Sequence, residues 1–209
     1  MTAMPQNKDL YLIGAGGHAK VIIALLEEQG CKCLGIYDDD QKLWGTKLWD
    51  IPIMGPVASL PDEKEKTAVI SIGNNEIRRR ISKMFKNLQW ETLVHPHSWV
   101  HPSVVIGEGT VVFAGAVIQP DTVIGAHTII NTSASVDHDC RIGDYCHIAP
   151  GCHVAGGVFV GAGTFIGAGV SIIPNVSIAS DSIVGAGAVI AANIPDSGLY
   201  IGVPARKMK

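Results

Sequence analysis

The chain has few aromatic residues and no large excess of charge of either sign. Aromatic residues make up 6% of its 209 residues, and the formal net charge is −3. Charges of both signs are spread along the chain, which lacks the basic footprint of a nucleic-acid-binding protein. Because 47% of the residues are hydrophobic although so few are aromatic, the core is expected to consist of small and β-branched side chains.

Long hydrophobic runs and paired cysteines are also lacking. No apolar run reaches the roughly 18 residues that indicate a membrane span, and the first residues, MTAMPQNKDL, lack the basic and apolar regions of a secretory signal. Five cysteines are an odd number, which argues against the disulfide framework of a secreted protein. These absences predict a cytoplasmic protein with reduced thiols and with neither a membrane nor a nucleic-acid partner.

A six-residue repeat runs through the C-terminal half. Every sixth residue from Val94 to Ile190 is Val or Ile, at seventeen consecutive positions. A period of six fits neither an α-helix nor an ordinary strand; it is typical of a triangular solenoid, in which each hexapeptide forms one short strand and one corner. Coils of 18 residues then stack at about 4.8 Å. We predict an all-β, left-handed parallel β-helix over residues 93–209; a β-sandwich with fortuitous spacing is the weaker alternative.

Two further positions of the repeat have a characteristic composition. Glycine frequently follows the repeated Val or Ile and is expected to supply the unusual backbone of the corners, as at Gly107, Gly125, Gly143, Gly161, Gly167 and Gly185. The fifth position is small. It includes Cys140, Cys146 and Cys152, which fall on three different faces and are therefore expected in the core rather than around a metal ion.

The N-terminal residues alternate between strand and helix patterns. Strands are predicted at residues 10–13, 32–37 and 68–72, and helices at residues 18–29 and 76–86. This order predicts a Rossmann-like, parallel βαβ domain over residues 1–92. The intervening residues 40–60 are expected to form loops that shape a substrate pocket.

A glycine turn follows the first predicted strand and opens the first helix. Residues 14–17 bring backbone N–H groups to a helix N-terminus, which is an arrangement that binds phosphate. Asp38 and Asp39 end the second strand, where a carboxylate can accept a hydrogen bond from a ribose or a uracil-type ring. About 90 residues form only half of a dinucleotide fold, so a mononucleotide or nucleotide sugar is the expected ligand. A turn that merely packs a helix on a sheet is the alternative.

One hexapeptide departs from the repeat by placing His138 between Asp137 and Asp139. An imidazole beside a carboxylate is the usual general base near neutral pH. Since residues 18 apart lie above one another, Gly156 is expected one coil above His138, with a backbone N–H able to stabilise an oxyanion. A solvated polar corner is the alternative explanation.

Other positions of the solenoid are less distinctive. Ala168 and Ala186 lie in Gly-Ala-Gly triplets of a second column, which offers a smooth wall to a long, thin ligand. His147 and His153 occupy the last, usually polar position of their hexapeptides, and the pattern alone assigns neither.

The whole chain resembles the bacterial hexapeptide-repeat sugar acetyltransferases that carry an N-terminal nucleotide-sugar-binding domain. The matching stretches are IGAGGHAKV (13–21), SIGNNEIRRRI (71–81), NTSASVDHDCRIGDYCHIAPG (131–151) and GVPARKMK (202–209). The resemblance implies acetyl-CoA as the donor, no metal ion, and a homotrimer with active sites between adjacent solenoids.

The resemblance also implies roles for particular residues. His138 matches the general base, and Asp139 matches the acid that raises its basicity, which is often Glu in the amino-sugar enzymes. The matches to acetyl-CoA-binding positions are His147, Gly156, Ala168 and Ala186. The matches to nucleotide-sugar-binding positions are Gly16, Gly17, His18, Asp38, Asp39 and Gly73.

The activity implied by the resemblance is acetyl transfer to an amino sugar. Residues 73–78 are most similar to the branch that acetylates the 4-amino group of UDP-linked 4-amino-4,6-dideoxy sugars, as in bacillosamine synthesis. The alternatives are O-acetylation of sialic acid or another polysaccharide sugar, a GDP-perosamine-type N-acetyltransferase, and a non-catalytic solenoid that binds a partner or a sugar nucleotide.

Overall fold

The computed structural model describes residues 9–208, and the chain divides between Glu91 and Thr92 into two compact units. Residues 1–8, for which the sequence predicted no secretory signal, and Lys209, the last residue of the C-terminal motif, lie outside the described residues. Between residues 9 and 208, no helix has the length and apolar character required to cross a bilayer.

The N-terminal unit is a mostly parallel α/β sheet. Its strands are β1 (Asp9–Ile13), β2 (Lys32–Tyr37), β3 (Lys47–Leu48), β4 (Ile51–Gly55), β5 (Thr67–Ile70) and β6 (Gln89–Trp90). Its helices are α1 (Gly17–Glu28) and α2 (Asn75–Ser82), with short 3-10 helices at Gln41–Leu43 and Val57–Ser59. The strand order is β3-β4-β2-β1-β5-β6, and only β3 runs antiparallel to its neighbour.

The sheet has a topological switch point beside β1. The chain proceeds from β1 to β2 on one side and returns to β5 on the other side of β1. The carboxyl ends of β1 and β5 therefore flank a crevice, which is where open α/β sheets bind ligands. The residues of the glycine turn follow β1, and Gly73 follows β5.

The predicted strands and helices of this unit are confirmed in type, but two predictions were wrong in extent. Helix α2 ends at Ser82 rather than near residue 86, because the Asp62 carboxylate accepts the backbone N–H groups of Lys86, Asn87 and Leu88 at 2.8–3.1 Å. Residues 40–60, predicted as loops, contain β3 and β4. Strand β4 pairs in parallel with β2 and extends the sheet.

The C-terminal unit is a parallel β-helix with three faces, as predicted. The first face contains Leu93–Val94, Val111–Val112, Ile129–Ile130, His147–Ile148, Phe165–Ile166, Ile183–Val184 and Leu199–Ile201. The second face contains Trp99–Val100, Val117–Ile118, Ser135–Val136, His153–Val154, Ser171–Ile172 and Val189–Ile190. The third face contains Val105–Ile106, Val123–Ile124, Arg141–Ile142, Phe159–Val160 and Ser177–Ile178.

The repeated Val and Ile side chains form the interior of the β-helix. Those from Val112 to Ile190 are all buried, whereas Val94, Val100 and Ile106 in the first coil are partly buried. Parallel pairing aligns residues 18 apart, for example Ile118 with Val136. The chain also extends the stack beyond the predicted repeat, because Leu199–Ile201 pairs with the first face and Arg206–Lys207 folds back antiparallel on it.

The glycines after the repeated Val or Ile do not have the left-handed backbone that the sequence analysis predicted for them. Positive φ angles occur two residues later, as at Gly109 (φ 66°) and Tyr145 (φ 58°). The earlier glycines are needed because the next coil approaches closely. A Cβ at Gly107 or at Gly143 would lie 2.5 or 2.6 Å from a backbone nitrogen of the coil above.

The small residues at the fifth position are buried, as predicted, and also join successive coils. Thr128 Oγ1 donates to Gly143 O at 2.9 Å and accepts the Cys146 N–H at 3.0 Å. Each buried cysteine thiol lies within hydrogen-bonding distance of a carbonyl, as Cys152 Sγ does at 2.9 Å from Gly167 O. These residues therefore have a structural role in the core.

Candidate active site

The corner that follows the strand Ser135–Val136 holds His138 and Asp139 in direct contact. The His138 Nδ1 atom lies 2.7 Å from Asp139 Oδ2, and the side chains are 60% and 65% exposed. The left-handed backbone at Asp139 turns its carboxylate towards the preceding ring. The His138 backbone N–H donates to Asp137 Oδ1 at 2.8 Å. The pair is therefore held by the corner itself and stays open to a ligand.

The other side of the His138 ring lies against Gly156 of the next coil. A Cβ at Gly156 would lie 2.7 Å from both Cε1 and Nε2 of His138, so a residue with a side chain would displace the ring. The coils are tied together here, because the Gly157 N–H donates to His138 O at 2.9 Å. The column of residues 18 apart, predicted from the repeat, therefore brings His138 and Gly156 together.

The electrostatics of the corner favour the protonated imidazole. The hydrogen bond to Asp139 raises the pKa of His138 above its ordinary value of 6.5, and the charges of Asp137 and Asp139 act in the same direction. Asp139 also orients the ring, since it engages Nδ1 and leaves Nε2 as the nitrogen beside Gly156. Such an imidazole can accept a proton at Nε2, and Asp139 stabilises the cation that forms.

Ala168 and Ala186 lie at a different corner, on the other edge of the second face. Both are exposed, and the Gly187 N–H donates to Ala168 O at 2.8 Å. This corner carries small side chains in successive coils, as the sequence predicts. The structure brings these two alanines together with each other but not with His138, which is separated from them by the width of the second face.

His147 lies on the first face and is buried, with 9% of its surface exposed. Its Nε2 is 3.0 Å from Asn131 Nδ2, while Asn131 Oδ1 accepts the Thr132 N–H at 2.8 Å. Because the amide nitrogen of Asn131 can only donate, His147 Nε2 is the acceptor of this hydrogen bond. Asn131 was not singled out in the sequence, where it is one polar residue in a repeat with many.

The glycine turn of the N-terminal unit has an open face. A Cβ at Gly16 or at Gly17 would meet nothing within 4 Å, and Gly16 is the N-cap residue of α1. Gly14, with φ +107°, requires glycine because a Cβ would also strike Ile72 at 2.5 Å. His18 follows in the first turn of α1. The exposed N–H groups and the helix N-terminus form a surface suited to an anion.

Asp38 and Asp39 hold the loops around this turn. Asp38 Oδ2 accepts the Ala15 N–H at 2.7 Å, and Asp38 Oδ1 accepts the Asp40 N–H at 2.8 Å. Asp39 Oδ1 accepts the Val57 N–H at 2.9 Å. Both carboxylates thus connect the end of β2 to neighbouring segments, a role that sequence spacing alone does not reveal.

Gly73 lies in a segment that is fixed by a buried arginine. Arg78 is 1% exposed, and its Nη1 donates to Ile72 O at 3.0 Å and to Gly73 O at 3.2 Å. Ser71 Oγ lies 2.5 Å from Gly14 O, which links the end of β5 to the glycine turn. The sequence pattern singles out neither Ser71 nor Arg78. Arg78 is one of three consecutive arginines, and only the structure shows that it is the buried one.

The described part of the chain contains no group of three or more His, Cys, Asp or Glu side chains arranged to hold a metal ion.

Comparison with known families gives the class of protein. Residues 9–85 match the PglD N-terminal domain, and residues 121–156 and 157–192 match the six-repeat bacterial transferase hexapeptide. Together with the fold and the His138 corner, these matches define a hexapeptide-repeat acyltransferase.

Solved structures make the assignment more specific. PerB from Caulobacter crescentus, in complex with CoA and GDP-perosamine, is 40% identical, with a TM-score of 0.91 over 97% of this chain and 98% of that one. The acetyltransferase domain of PglB from Neisseria gonorrhoeae, in complex with acetyl coenzyme A, is 36% identical, with a TM-score of 0.88 over 97% of this chain and all of that one. The chain belongs to the hexapeptide-repeat sugar acetyltransferases with a PglD-type N-terminal domain.

A shorter match comes from a viral protein. An uncharacterised protein of Acanthamoeba polyphaga mimivirus is 34% identical over 81 residues, which are 39% of this chain and 16% of that protein.

Proposed function

We propose that this protein transfers the acetyl group of acetyl-CoA to the 4-amino group of a nucleotide-linked 4-amino-4,6-dideoxy sugar, with UDP as the nucleotide. The observation that supports this function best is the His138 corner, where Asp139 engages Nδ1 at 2.7 Å and Gly156 of the next coil lies against the Nε2 side of the ring. A base next to a backbone N–H donor suits a reaction in which an amine attacks a carbonyl carbon.

The proposed reaction is a direct attack without a covalent enzyme intermediate. The amine nitrogen forms a bond to the thioester carbonyl carbon, and His138 Nε2 takes the proton that the nitrogen loses. The Gly156 N–H stabilises the negative charge on the carbonyl oxygen. The carbon–sulfur bond then breaks, and the leaving thiolate takes up the proton from His138. Asp139 stabilises the imidazolium between these two proton transfers.

The two substrates use separate sets of residues in this proposal. Acetyl-CoA binds with its thioester at Gly156, with Ala168 and Ala186 lining its pantetheine arm and His147 as a further contact. The nucleotide sugar binds through the N-terminal unit, with its diphosphate at Gly16, Gly17 and His18. Asp38, Asp39 and Gly73 bind or position its nucleoside. The support for this division is that the exposed N-terminus of α1 suits phosphate, whereas the corner with Ala168 and Ala186 offers small side chains and no charge.

A GDP-linked amino sugar is the second candidate acceptor. It is favoured by PerB, whose structure contains GDP-perosamine and which shares 40% identity over nearly the full length of both chains. The two candidates require the same chemistry at His138 and differ only in the base and sugar that are recognised.

The experiment that tests the function is a thiol-release assay with acetyl-CoA and a panel of acceptors. The panel contains a UDP-linked 4-amino-4,6-dideoxy sugar, its 4-hydroxy counterpart, GDP-perosamine and free sialic acid. CoA release with the UDP-linked amine is the expected result, and release with GDP-perosamine alone would replace UDP by GDP. Release only with a hydroxyl acceptor would contradict N-acetylation, and no release with any acceptor would overturn the proposed function.

A further inference from the structure

A groove on the second face of the β-helix lies directly beside the His138 corner. It encloses a cavity of about 300 Å³. Its polar lining consists of Gln119, Ser135, Asp137, His153 and Ser171. Asp137 also accepts the His138 backbone N–H, and Ala155, another lining residue, immediately precedes Gly156. A group bound in the groove would therefore lie next to the proposed reacting atoms.

Two side chains in the groove form a pair that the reaction does not otherwise use. His153 Nδ1 lies 2.9 Å from Ser135 Oγ in the preceding coil, and both residues point outwards from adjacent strands. With Nδ1 engaged by Ser135, His153 Nε2 is the ring nitrogen available to a ligand. An imidazole nitrogen held in this way is a directional hydrogen-bonding group.

The lining indicates the chemistry of the occupant. None of the nine residues that line the cavity, all within the described chain, is Lys or Arg, so the groove does not suit a phosphate. Serine hydroxyls and the Gln119 amide both donate and accept hydrogen bonds, which suits sugar hydroxyls. The Asp137 carboxylate can accept a hydrogen bond from the amine of the acceptor, and Val117 provides an apolar contact for a deoxy-sugar methyl group.

We propose that this groove holds the sugar ring of the acceptor, and that His153 hydrogen-bonds a sugar hydroxyl while Ser135 positions the His153 ring. This inference rests on the proposed function and makes His153 a residue that determines sugar specificity.

The test is steady-state kinetics of full-length variants with the acceptor that releases CoA in the panel. His153→Ala is expected to raise KM for the nucleotide sugar about three- to tenfold, the cost of one lost hydrogen bond, and to leave KM for acetyl-CoA unchanged. His153→Asn, which retains a donor and an acceptor, should restore part of the loss. If Ser135 acts through His153, Ser135→Ala should add little to His153→Ala in the double variant.

His101→Ala is the matched control, because His101 Nδ1 also lies 2.9 Å from a serine hydroxyl, that of Ser103, and His101 does not line the cavity. It should leave both KM values unchanged. A rise in KM for acetyl-CoA in His153→Ala would overturn the inference and assign the groove to the pantetheine arm. Unchanged kinetics, or dissociation of an oligomer without a change in KM, would also overturn it while leaving the proposed function intact. Inactivity of the unmodified protein with every acceptor would overturn both.

Discussion

The chemistry of His138 depends on its neighbours, since the side chain itself is 60% exposed. Asp139 engages one ring nitrogen and raises the pKa, while Gly156 of the next coil packs against the side of the ring that carries the other nitrogen. Without the Asp139 carboxylate, the exposed imidazole would lack both a fixed ring orientation and the raised pKa.

Replacing His138 by Ala removes the proposed base. We expect kcat for acetyl transfer to fall roughly 10²–10⁴-fold, the usual contribution of a well-placed general base. The thermal unfolding midpoint should change little because the side chain is exposed. Near-normal turnover in the thiol-release assay would contradict the assigned role.

Replacing Asp139 by Asn should change the pH dependence of the reaction. Asp139 raises the pKa of His138, and the base acts only when neutral, so activity is lost as pH falls through that raised pKa. Without the carboxylate the pKa falls, and the acid limb of the kcat/KM profile moves to lower pH. Asp137→Asn, which removes a charge but not the hydrogen bond to the ring, should cause a smaller shift in the same direction. An acid limb that stays fixed in Asp139→Asn would show that another group controls it.

Replacing Gly156 by Ala tests the contact with the imidazole. The new Cβ would lie 2.7 Å from His138 Nε2 and should displace the ring, which lowers kcat more than it lowers the unfolding midpoint. Gly143→Ala provides the contrast, because its Cβ would lie 2.6 Å from the backbone nitrogen of Ala162 and should mainly destabilise the fold. Equal losses of stability in the two variants would contradict this distinction.

At the scale of the elements, each strand of the β-helix has only two or three residues, so stability depends on contacts between coils. The inward Thr, Ser and Cys side chains supply some of these contacts, as Thr128 does by bonding to Gly143 O and to the Cys146 N–H. They combine the small size that the interior requires with hydrogen bonds for buried backbone groups.

Thr128→Val keeps the shape of the side chain but removes both hydrogen bonds. Because buried backbone groups then lose their partner, we expect a loss of about 1–3 kcal/mol in the free energy of unfolding, measured by thermal or chemical denaturation. Ser177→Ala on the exposed third face is the control and should have little effect. A Thr128→Val variant as stable as the unmodified protein would show that these two hydrogen bonds make no net contribution to the free energy of unfolding.

The elements of the N-terminal unit show where sequence patterns fail. The hydrophobic pattern predicted β1, β2 and α1 closely, because each buries a run of apolar residues. It missed β3 and β4 at one end of the sheet, because β3 has only two residues, neither of them buried, and β4 buries only two of its five. It extended α2 too far, because the end of that helix depends on Asp62, which is distant in the sequence.

At the scale of the whole molecule, we propose that the chain assembles as a homotrimer, as its resemblance to sugar acetyltransferases implies. Light scattering of the purified protein should give three times the chain mass of 22.1 kDa. A monomer at micromolar concentration would contradict this prediction.

The sequence by itself determined the architecture of this protein and its His138–Asp139 pair. A period of six over seventeen positions has one regular solution, and a contact between adjacent residues needs no tertiary information. The same period placed Gly156 above His138, because stacking converts a spacing of 18 into contact.

Only the tertiary structure decided the remaining features. It showed that the glycines after the repeated Val or Ile are required by the coil above rather than by their own φ angles. It showed that Arg78, one of three consecutive arginines, is buried and donates to the Gly73 carbonyl. It also showed that His153 contacts Ser135 in the groove that Asp137 lines. These features depend on distances between segments that are remote along the chain, and such distances are fixed only when the sheet and the coils pack.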